Sequence, residues 1–226
     1  MRKSFVAAAV FALSACANVQ GASDAPAPFT AAAAEARASA AALPNFPVAV
    51  DLPAGTYRLD PRHASVLFRI RHMELSWYTA RFATKDATLE LDPTDPSRSR
   101  LTATVDAASV DTGLPTQRDG AFDRSIGRAL GSETTPQISF ASTVIERTGE
   151  HTARVTGDLT MNGQTHPATL DVTFDGGRVD PLRGGNMVLG FSAHGQIDRS
   201  QWGVTEWRAF TGNDVQIVIE AEFIKT

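Results

Sequence analysis

Apolar and polar residues alternate with a period of two along much of the chain after residue 55. In SVLFRIRH (65–72), Val66, Phe68 and Ile70 fall on one side, and Arg69 and Arg71 fall on the other. The segments LTATVDAASV (101–110) and DVQIVIEAEF (214–223) alternate in the same way. Because successive side chains of a β-strand point to opposite faces, this pattern predicts half-buried strands.

Further strands are predicted over 78–92, 136–147, 152–161, 168–176 and 186–198, which gives eight or nine antiparallel strands. Asn162-Gly163 favours a type I′ hairpin between two of them. The segment 117–130 predicts one helix. Many strands with few helices indicate a sandwich or a closed barrel, and long strands joined by short turns favour the barrel. The charged outer faces predict an apolar interior, the inverse of a membrane-spanning barrel.

The N-terminus predicts export. Two positive charges at Arg2 and Lys3 precede an uncharged run to Leu13, which is typical of a signal peptide. That run is shorter than the roughly 20 residues that span a bilayer, and the rest of the chain predicts no transmembrane helix.

The stretch LSACA (13–17) contains the chain's one cysteine and allows two cleavage sites. Cleavage before Cys16 follows the lipobox of bacterial lipoproteins, in which the thiol is acylated. Cleavage after Ala17 would remove the cysteine, and a third site lies near Gly21. The leucine three residues before the cysteine favours the lipobox. The predicted organisation is a lipoprotein signal peptide over 1–15, an Ala/Pro-rich flexible tether over 16–52 and a β-barrel domain over 53–226.

Composition excludes several functions. One cysteine cannot form an internal disulfide, and a net charge of −4 gives no electrostatic reason to bind nucleic acid. The five histidines form no HxH or HExxH pair, so no zinc site is predicted, and no other cofactor is predicted either. With no GxSxG motif and no thiol in the domain, the sequence predicts a protein that is not an enzyme.

Five blocks occur in order: YRLDPRHASVLFRIRHM (57–73), ASVDTG (108–113), PQISFAST (136–143), VTGDLTMNGQTHPATLDV (155–172) and IDRSQWG (197–203). This set resembles the YceI-like family of bacterial periplasmic proteins over roughly 55–226. The resemblance implies an extended eight-stranded, lipocalin-like antiparallel barrel whose lumen holds a polyisoprenoid such as a polyprenyl phosphate or a quinone tail. Ala80 departs from the family pattern, which often has glycine there.

The inward positions of the alternating strands are the candidate lumen residues. They are Val66, Phe68, Ile70, Ile138, Phe140, Leu170, Val172 and Phe174. The simpler interpretation is that these side chains fill a solid core, whereas the resemblance favours ligand contact for some of them.

Three further residues are candidates for ligand contact. His72 matches a family position and either contacts a polar head group or is a buried, hydrogen-bonded histidine. Arg199 either pairs with a phosphate or quinone oxygen or fixes a loop through backbone carbonyls. Trp202 is expected to plug one barrel end, with ligand contact as the second interpretation. Trp77-Tyr78 and Trp207 are expected in loops, where they would form a mouth or a membrane-facing rim.

The sequence therefore predicts a non-enzymatic protein that binds, and carries or stores, an isoprenoid lipid in the periplasm. Acylated Cys16 would anchor it to the outer membrane; the alternative is a soluble periplasmic or secreted protein. Two other functions stay open: a structural or interaction module with a solid core, and a non-catalytic accessory to quinone redox chemistry. Oligomeric state is not predicted.

Overall fold

A computed structural model describes residues 51–115 and 119–226. The predicted signal peptide, Cys16 and nearly all of the predicted tether lie outside the described residues. The strands are β1 (Gly55–His72), β2 (Ser76–Phe82), β3 (Lys85–Leu91), β4 (Arg100–Asp106), β5 (Val110–Asp111), β6 (Gln137–Arg147), β7 (Thr152–Met161), β8 (Gln164–Asp180), β9 (Asn186–Asp198) and β10 (Thr211–Lys225). The helix α1 is Ala121–Ala129.

Eight of these strands close into an antiparallel barrel. The ring runs β1, β10, β9, β8, β7, β6, β4, β3 and back to β1. The closing contact is the long pairing of β1 with β10, from Tyr57 opposite Lys225 to His72 opposite Thr211. The predicted lipocalin-like, all-β barrel is therefore confirmed, and closure leaves these strands no free edge.

The single strand predicted over 78–92 is wrong, because the chain forms two strands there. β1 pairs with β3 through its first residues and with β2 through its last ones. Ala83 and Thr84 leave the ladder, and their N–H groups donate to Ser109. The sequence carries a signal of this break, since the inward apolar positions change from even numbers in β2 to odd numbers in β3.

At the end where β2 replaces β3, the helix completes the wall. β5 pairs with β2, and α1 packs against β5 and the 3₁₀ turn Ala107–Ser109. The helix predicted over 117–130 is confirmed with narrower limits. The Asn162-Gly163 hairpin is also confirmed, because both residues have the positive φ that a type I′ turn requires.

Buried side chains form two clusters, one in each half of the barrel. One cluster centres on Trp202, Phe82 and Leu159 near α1, and the other on Tyr57, Leu189 and Phe223. Among the described residues, no helix is long and apolar enough to cross a membrane.

Candidate ligand-binding lumen

The half of the barrel that contains α1 encloses a cavity of about 550 Å³, here called the upper cavity. Strand residues predicted from the alternation form much of its wall. They are Val66, Phe68, Ile70, Ile138, Phe140 and Leu170. Phe122, Ile126 and Leu130, from α1 and its C-terminal end, complete the wall. The sequence prediction missed these three, although their spacing of four residues marks one face of a helix.

The other half of the barrel encloses a cavity of about 830 Å³, here called the lower cavity. Val172 and Phe174 line it as predicted, together with Phe191, whose ring centroid lies 5.2 Å from that of Phe174. Its wall also includes charged residues, among them Lys85 and Arg147. The Arg147 guanidinium donates to the carbonyl oxygens of Gly149 and Glu150, at 2.8 and 3.0 Å.

The two cavities adjoin along a common wall, because the same apolar residues line both. These residues are Val66, Ala103, Val105, Phe140, Leu170 and Ile219. Each volume falls in the range of about 300–1,000 Å³ that is typical of small-molecule sites. The alternative interpretation of a solid core does not fit the described part of the barrel, which leaves an elongated apolar space.

Gly157 on β7 sets the position of Phe140 in this common wall. A Cβ atom at residue 157 would lie 2.5 Å from Phe140 Cζ and 2.5 Å from the carbonyl oxygen of Ala141. Real Cβ atoms essentially never approach so closely, so only glycine at residue 157 lets the Phe140 ring lie against β7.

Tyr78 lines the upper cavity and carries a buried polar atom. Its ring packs edge-to-face on Phe122, with centroids 6.2 Å apart. Its hydroxyl oxygen is buried and has no hydrogen-bond partner among the described residues. A buried hydroxyl without a partner costs free energy, and a hydrogen-bond acceptor would remove that cost.

The mouth of the upper cavity is formed by the end of β1 and the loop before β10. His72 lines the cavity but is exposed, so the interpretation of His72 as a buried histidine is wrong. Trp207 lies in this loop as predicted, and Trp207 and Phe210 line the cavity while remaining exposed. The loop position predicted for Trp77 and Tyr78 is wrong, because both residues belong to β2.

Arg199 lines the upper cavity and is itself buried. Its guanidinium donates to the carbonyl oxygens of Gly212 and Glu206 at 3.1 and 2.8 Å, and to Thr211 Oγ1 at 3.0 Å. Burial is the largest influence on its pKa, which lies below the usual arginine value. The structure thus gives Arg199 the loop-fixing contacts that were one of its two interpretations, and its contact with a ligand stays a prediction.

Trp202 lines neither cavity, which corrects its prediction as a ligand-binding residue. The indole is almost fully buried, and its Nε1–H donates to the carbonyl oxygen of Leu159 at 2.9 Å. Its ring packs edge-to-face on His166, at 5.2 Å between centroids. Trp202 therefore packs in the barrel core.

A charged cluster lies at the opposite end of the barrel from the upper cavity mouth. A bulge in β1 between Leu59 and Ala64 places Asp60 and His63 next to Glu222 of β10. Sequence reasoning missed this group because the residues come from opposite ends of the domain. The Arg183 guanidinium lies among them, 2.7 Å from Asp60 Oδ2 and 3.0 Å from Glu222 Oε2.

The electrostatics of this cluster centre on Asp60, which is buried. Burial raises the pKa of Asp60, but the hydrogen bonds from His63 and the Arg62 N–H, with the Arg183 charge, outweigh it and lower the pKa to about 2. The arginine supplies the positive charge that these carboxylates require. We therefore interpret the cluster as a structural ion-pair network that joins β1, β10 and the 3₁₀ turn Pro181–Arg183.

The chain is similar to known proteins both in sequence and in fold. The YceI-like domain model matches residues 57–223. A UPF0312 protein of Serratia proteamaculans is 34% identical over 174 residues, which cover 76% of this chain and 88% of the relative. Protein YceI of Escherichia coli O6:H1 is 33% identical with the same coverage.

Two solved structures have a similar fold. BcnA of Burkholderia cenocepacia matches with a TM-score of 0.62 and 24% identity, covering 73% of this chain and 98% of that one. A polyisoprenoid binding domain from Saccharophagus degradans matches with a TM-score of 0.51 and 13% identity, covering 77% of this chain and 100% of that one. At these identities the likeness shows the fold alone.

Proposed function

The chain belongs to the YceI-like family, and on that premise we propose that it is a non-enzymatic protein whose lumen encloses the tail of an isoprenoid lipid. The observation that carries the proposal is the pair of adjoining apolar cavities, about 550 and 830 Å³, inside one closed barrel. The polyisoprenoid binding domain from Saccharophagus degradans, which has a similar fold, supports it.

The apolar wall suits a ligand that offers carbon and few hydrogen-bonding atoms. Burial of a methylene-sized group contributes about 0.8 kcal/mol, so a five-carbon isoprene unit contributes up to about 4 kcal/mol before the costs of ordering. A chain several units long would gain affinity from both cavities, whereas a shorter one would fill one of them. An elongated lumen thus favours a long, slender lipid over a compact ligand.

Within this proposal, the polar end of the lipid lies in the upper cavity. The Tyr78 hydroxyl is the donor that supports this orientation, because it is buried without a partner among the described residues. In the lower cavity, the Arg147 guanidinium already donates to two backbone carbonyls. A phosphate or a quinone oxygen near Tyr78 would accept its hydrogen bond.

Lipid analysis of the protein purified from its own host tests the proposal. We expect one class of prenyl lipid to copurify, and its head group would decide between a polyprenyl phosphate and a quinone. The quinone result would favour the alternative role as an accessory to quinone redox chemistry. Two results together would contradict lipid binding: the purified protein contains no lipid, and it takes up neither a polyprenyl phosphate nor a prenylated quinone after reconstitution.

A matched pair of variants locates the bound lipid. Ala103 lines both cavities, so Ala103→Phe would place a ring in their common wall and reduce prenyl-lipid uptake severalfold. Ala141 on β6 is exposed, so Ala141→Phe adds the same ring outside the barrel and is expected to leave uptake unchanged. Equal uptake by both variants would place the lipid outside the lumen.

We also propose that the protein works in the periplasm, tethered to the outer membrane through acylated Cys16, where it carries or stores its lipid. The basic start, the short apolar run and the LSACA stretch support this location. Cys16→Ser should move the protein from the membrane fraction to the soluble periplasmic fraction. If the variant fractionates like the wild type, the soluble alternative or another means of attachment is correct.

A further inference from the structure

Four exposed apolar side chains lie at the end of the barrel where the upper cavity opens, and two of them, Trp207 and Phe210, line the cavity. Met73 and Leu75 lie in the turn between β1 and β2, and Trp207 and Phe210 lie in the loop before β10. We call this group the apolar rim. The two segments are joined by a hydrogen bond of 2.7 Å from the Met73 N–H to the Phe210 carbonyl oxygen. This bond makes the two segments neighbours in the fold, so their exposed apolar side chains lie at one end of the barrel.

The backbone holds two of these side chains in an unfavourable conformation. Met73 has a φ of 50° and Trp207 a φ of 56°, in the left-handed region that glycine and asparagine normally occupy. A turn selected for stability alone would have a small or polar residue at these positions. Strain that presents a large apolar side chain to solvent points to a function for that side chain.

The side chains beside the rim include arginine and tryptophan, a combination that suits a membrane interface. The guanidinium groups of Arg69 and Arg71 lie 5.0 and 5.3 Å from the ring centroid of Trp77, which is also partly exposed. Tryptophan and arginine side chains favour the zone between acyl chains and head groups.

The local net charge differs in sign from that of the whole chain. Segments 69–77 and 203–210 contain three arginines and two glutamates, a net charge of +1, whereas the whole chain has a net charge of −4. One of the glutamates, Glu74, lies 3.9 Å from Arg71. The rim segments thus carry no net negative charge that would repel anionic phospholipids.

We propose that the apolar rim inserts into the surface of an anionic phospholipid bilayer and places the mouth of the upper cavity against it. The proposed lipid ligand would then pass between the bilayer and the lumen without crossing water. This lipid transfer rests on the proposed function, whereas membrane docking does not. Docking is compatible with the predicted anchor. Residues 16–54 reach about 130 Å when fully extended, and β1 is about 60 Å long, so an anchor at Cys16 lets either barrel end reach the membrane.

Vesicle sedimentation tests the proposal without any isoprenoid, so its failure would leave lumen binding untouched. The full chain carrying Cys16→Ser is mixed with vesicles of phosphatidylcholine and phosphatidylglycerol (7:3), so that no acyl anchor contributes. We expect Met73→Asn with Leu75→Ser to weaken partitioning at least about tenfold. Asparagine suits the left-handed backbone at residue 73, so the variant should keep its fold, as near-UV circular dichroism would verify.

The control removes, from the far end of the barrel, apolar side chains that are at least as exposed. Leu182 is 95% exposed against 80% for Leu75, and Val179 is 57% exposed against 55% for Met73. Val179→Asn with Leu182→Ser should leave partitioning within about twofold of the parent. If the control variant loses as much binding as the rim variant, or if the rim variant loses none, the proposal is overturned.

Fluorescence identifies the inserted residue. Vesicles of brominated lipid should quench part of the tryptophan emission, and Trp207→Phe should reduce that part while vesicle binding persists. Quenching that is unchanged in the double variant Trp77→Phe with Trp207→Phe would place another surface in the bilayer and overturn the proposal. Sedimentation without vesicles tests whether the rim instead binds a second copy of the chain. A dimer that Leu75→Ser dissociates would overturn membrane docking in favour of a homodimer interface.

Discussion

Tyr78→Phe should change stability and ligand affinity in opposite directions. The Tyr78 hydroxyl is buried with no hydrogen-bond partner among the described residues. An unpaired buried polar group costs about 1–3 kcal/mol, so its removal should raise the free energy of unfolding by about that amount. Phenylalanine keeps the edge-to-face contact with Phe122, so packing is preserved.

The chain's other tyrosine provides a control with the same chemical change. Tyr57 is fully buried, and its hydroxyl donates to the carbonyl oxygen of Pro53 at 2.6 Å. Tyr57→Phe leaves that carbonyl without its partner and should lower the free energy of unfolding by about 1–3 kcal/mol. Urea unfolding of delipidated protein, followed by tryptophan fluorescence, measures both changes.

Affinity should fall in Tyr78→Phe because the ligand loses a donor. A hydrogen bond to a neutral acceptor contributes about 0.5–1.5 kcal/mol, which predicts about 2- to 13-fold weaker binding of a prenylated quinone. A charged acceptor contributes about 1.5–3 kcal/mol, which predicts about 10- to 150-fold weaker binding of a polyprenyl phosphate. If Tyr78→Phe destabilises the protein as Tyr57→Phe does, or if affinity is unchanged, the reasoning from the unpaired hydroxyl is refuted.

Three further predictions concern the residues that build the barrel. Asp60 has a folded pKa of about 2 against an ordinary value of 3.8, so its stabilising effect is present above pH 4 and is lost as the pH falls towards 2. Asp60→Asn should therefore lower the free energy of unfolding by about 2 kcal/mol at pH 7, and urea titrations should show that the difference from wild type narrows at pH 3. Gly157→Ala should lower that free energy by about 1–3 kcal/mol through the clash with Phe140, whereas Gly190→Ala, with its nearest contact at 3.7 Å, should be neutral; equal melting temperatures for the two variants would contradict this. Arg199→Lys should lose contacts to the loop before β10 and speed its proteolysis, because an ammonium group cannot reproduce the three hydrogen bonds of the guanidinium; an unchanged cleavage rate would refute the loop-fixing role.

Local patterns were sufficient for the strands, the hairpin and most of the cavity wall. Period-two alternation placed Val66, Phe68 and Ile70 on the inner face, where they line the upper cavity. Asn162-Gly163 specified its own turn, since both residues tolerate positive φ. These features depend on near neighbours in the chain, and a single sequence contains that information.

Other features depend on residues brought together only by barrel closure. The sequence left Arg199 with two roles, and its buried bonds to Glu206 and Gly212 show only in the folded loop. Alternation likewise could not say whether the inner residues meet or leave a cavity, because that depends on the barrel's dimensions and on where α1 packs.

The sequence by itself determined which residues face inward, the type of the hairpin turn and the family to which the blocks belong. Only the tertiary structure decided that the inside is hollow, that Tyr78 lacks a partner and that Arg183 joins Asp60 to Glu222. The physical reason is that side-chain direction follows from the local backbone, whereas enclosed volume, burial and ion pairing follow from the distances between strands that are remote in the chain.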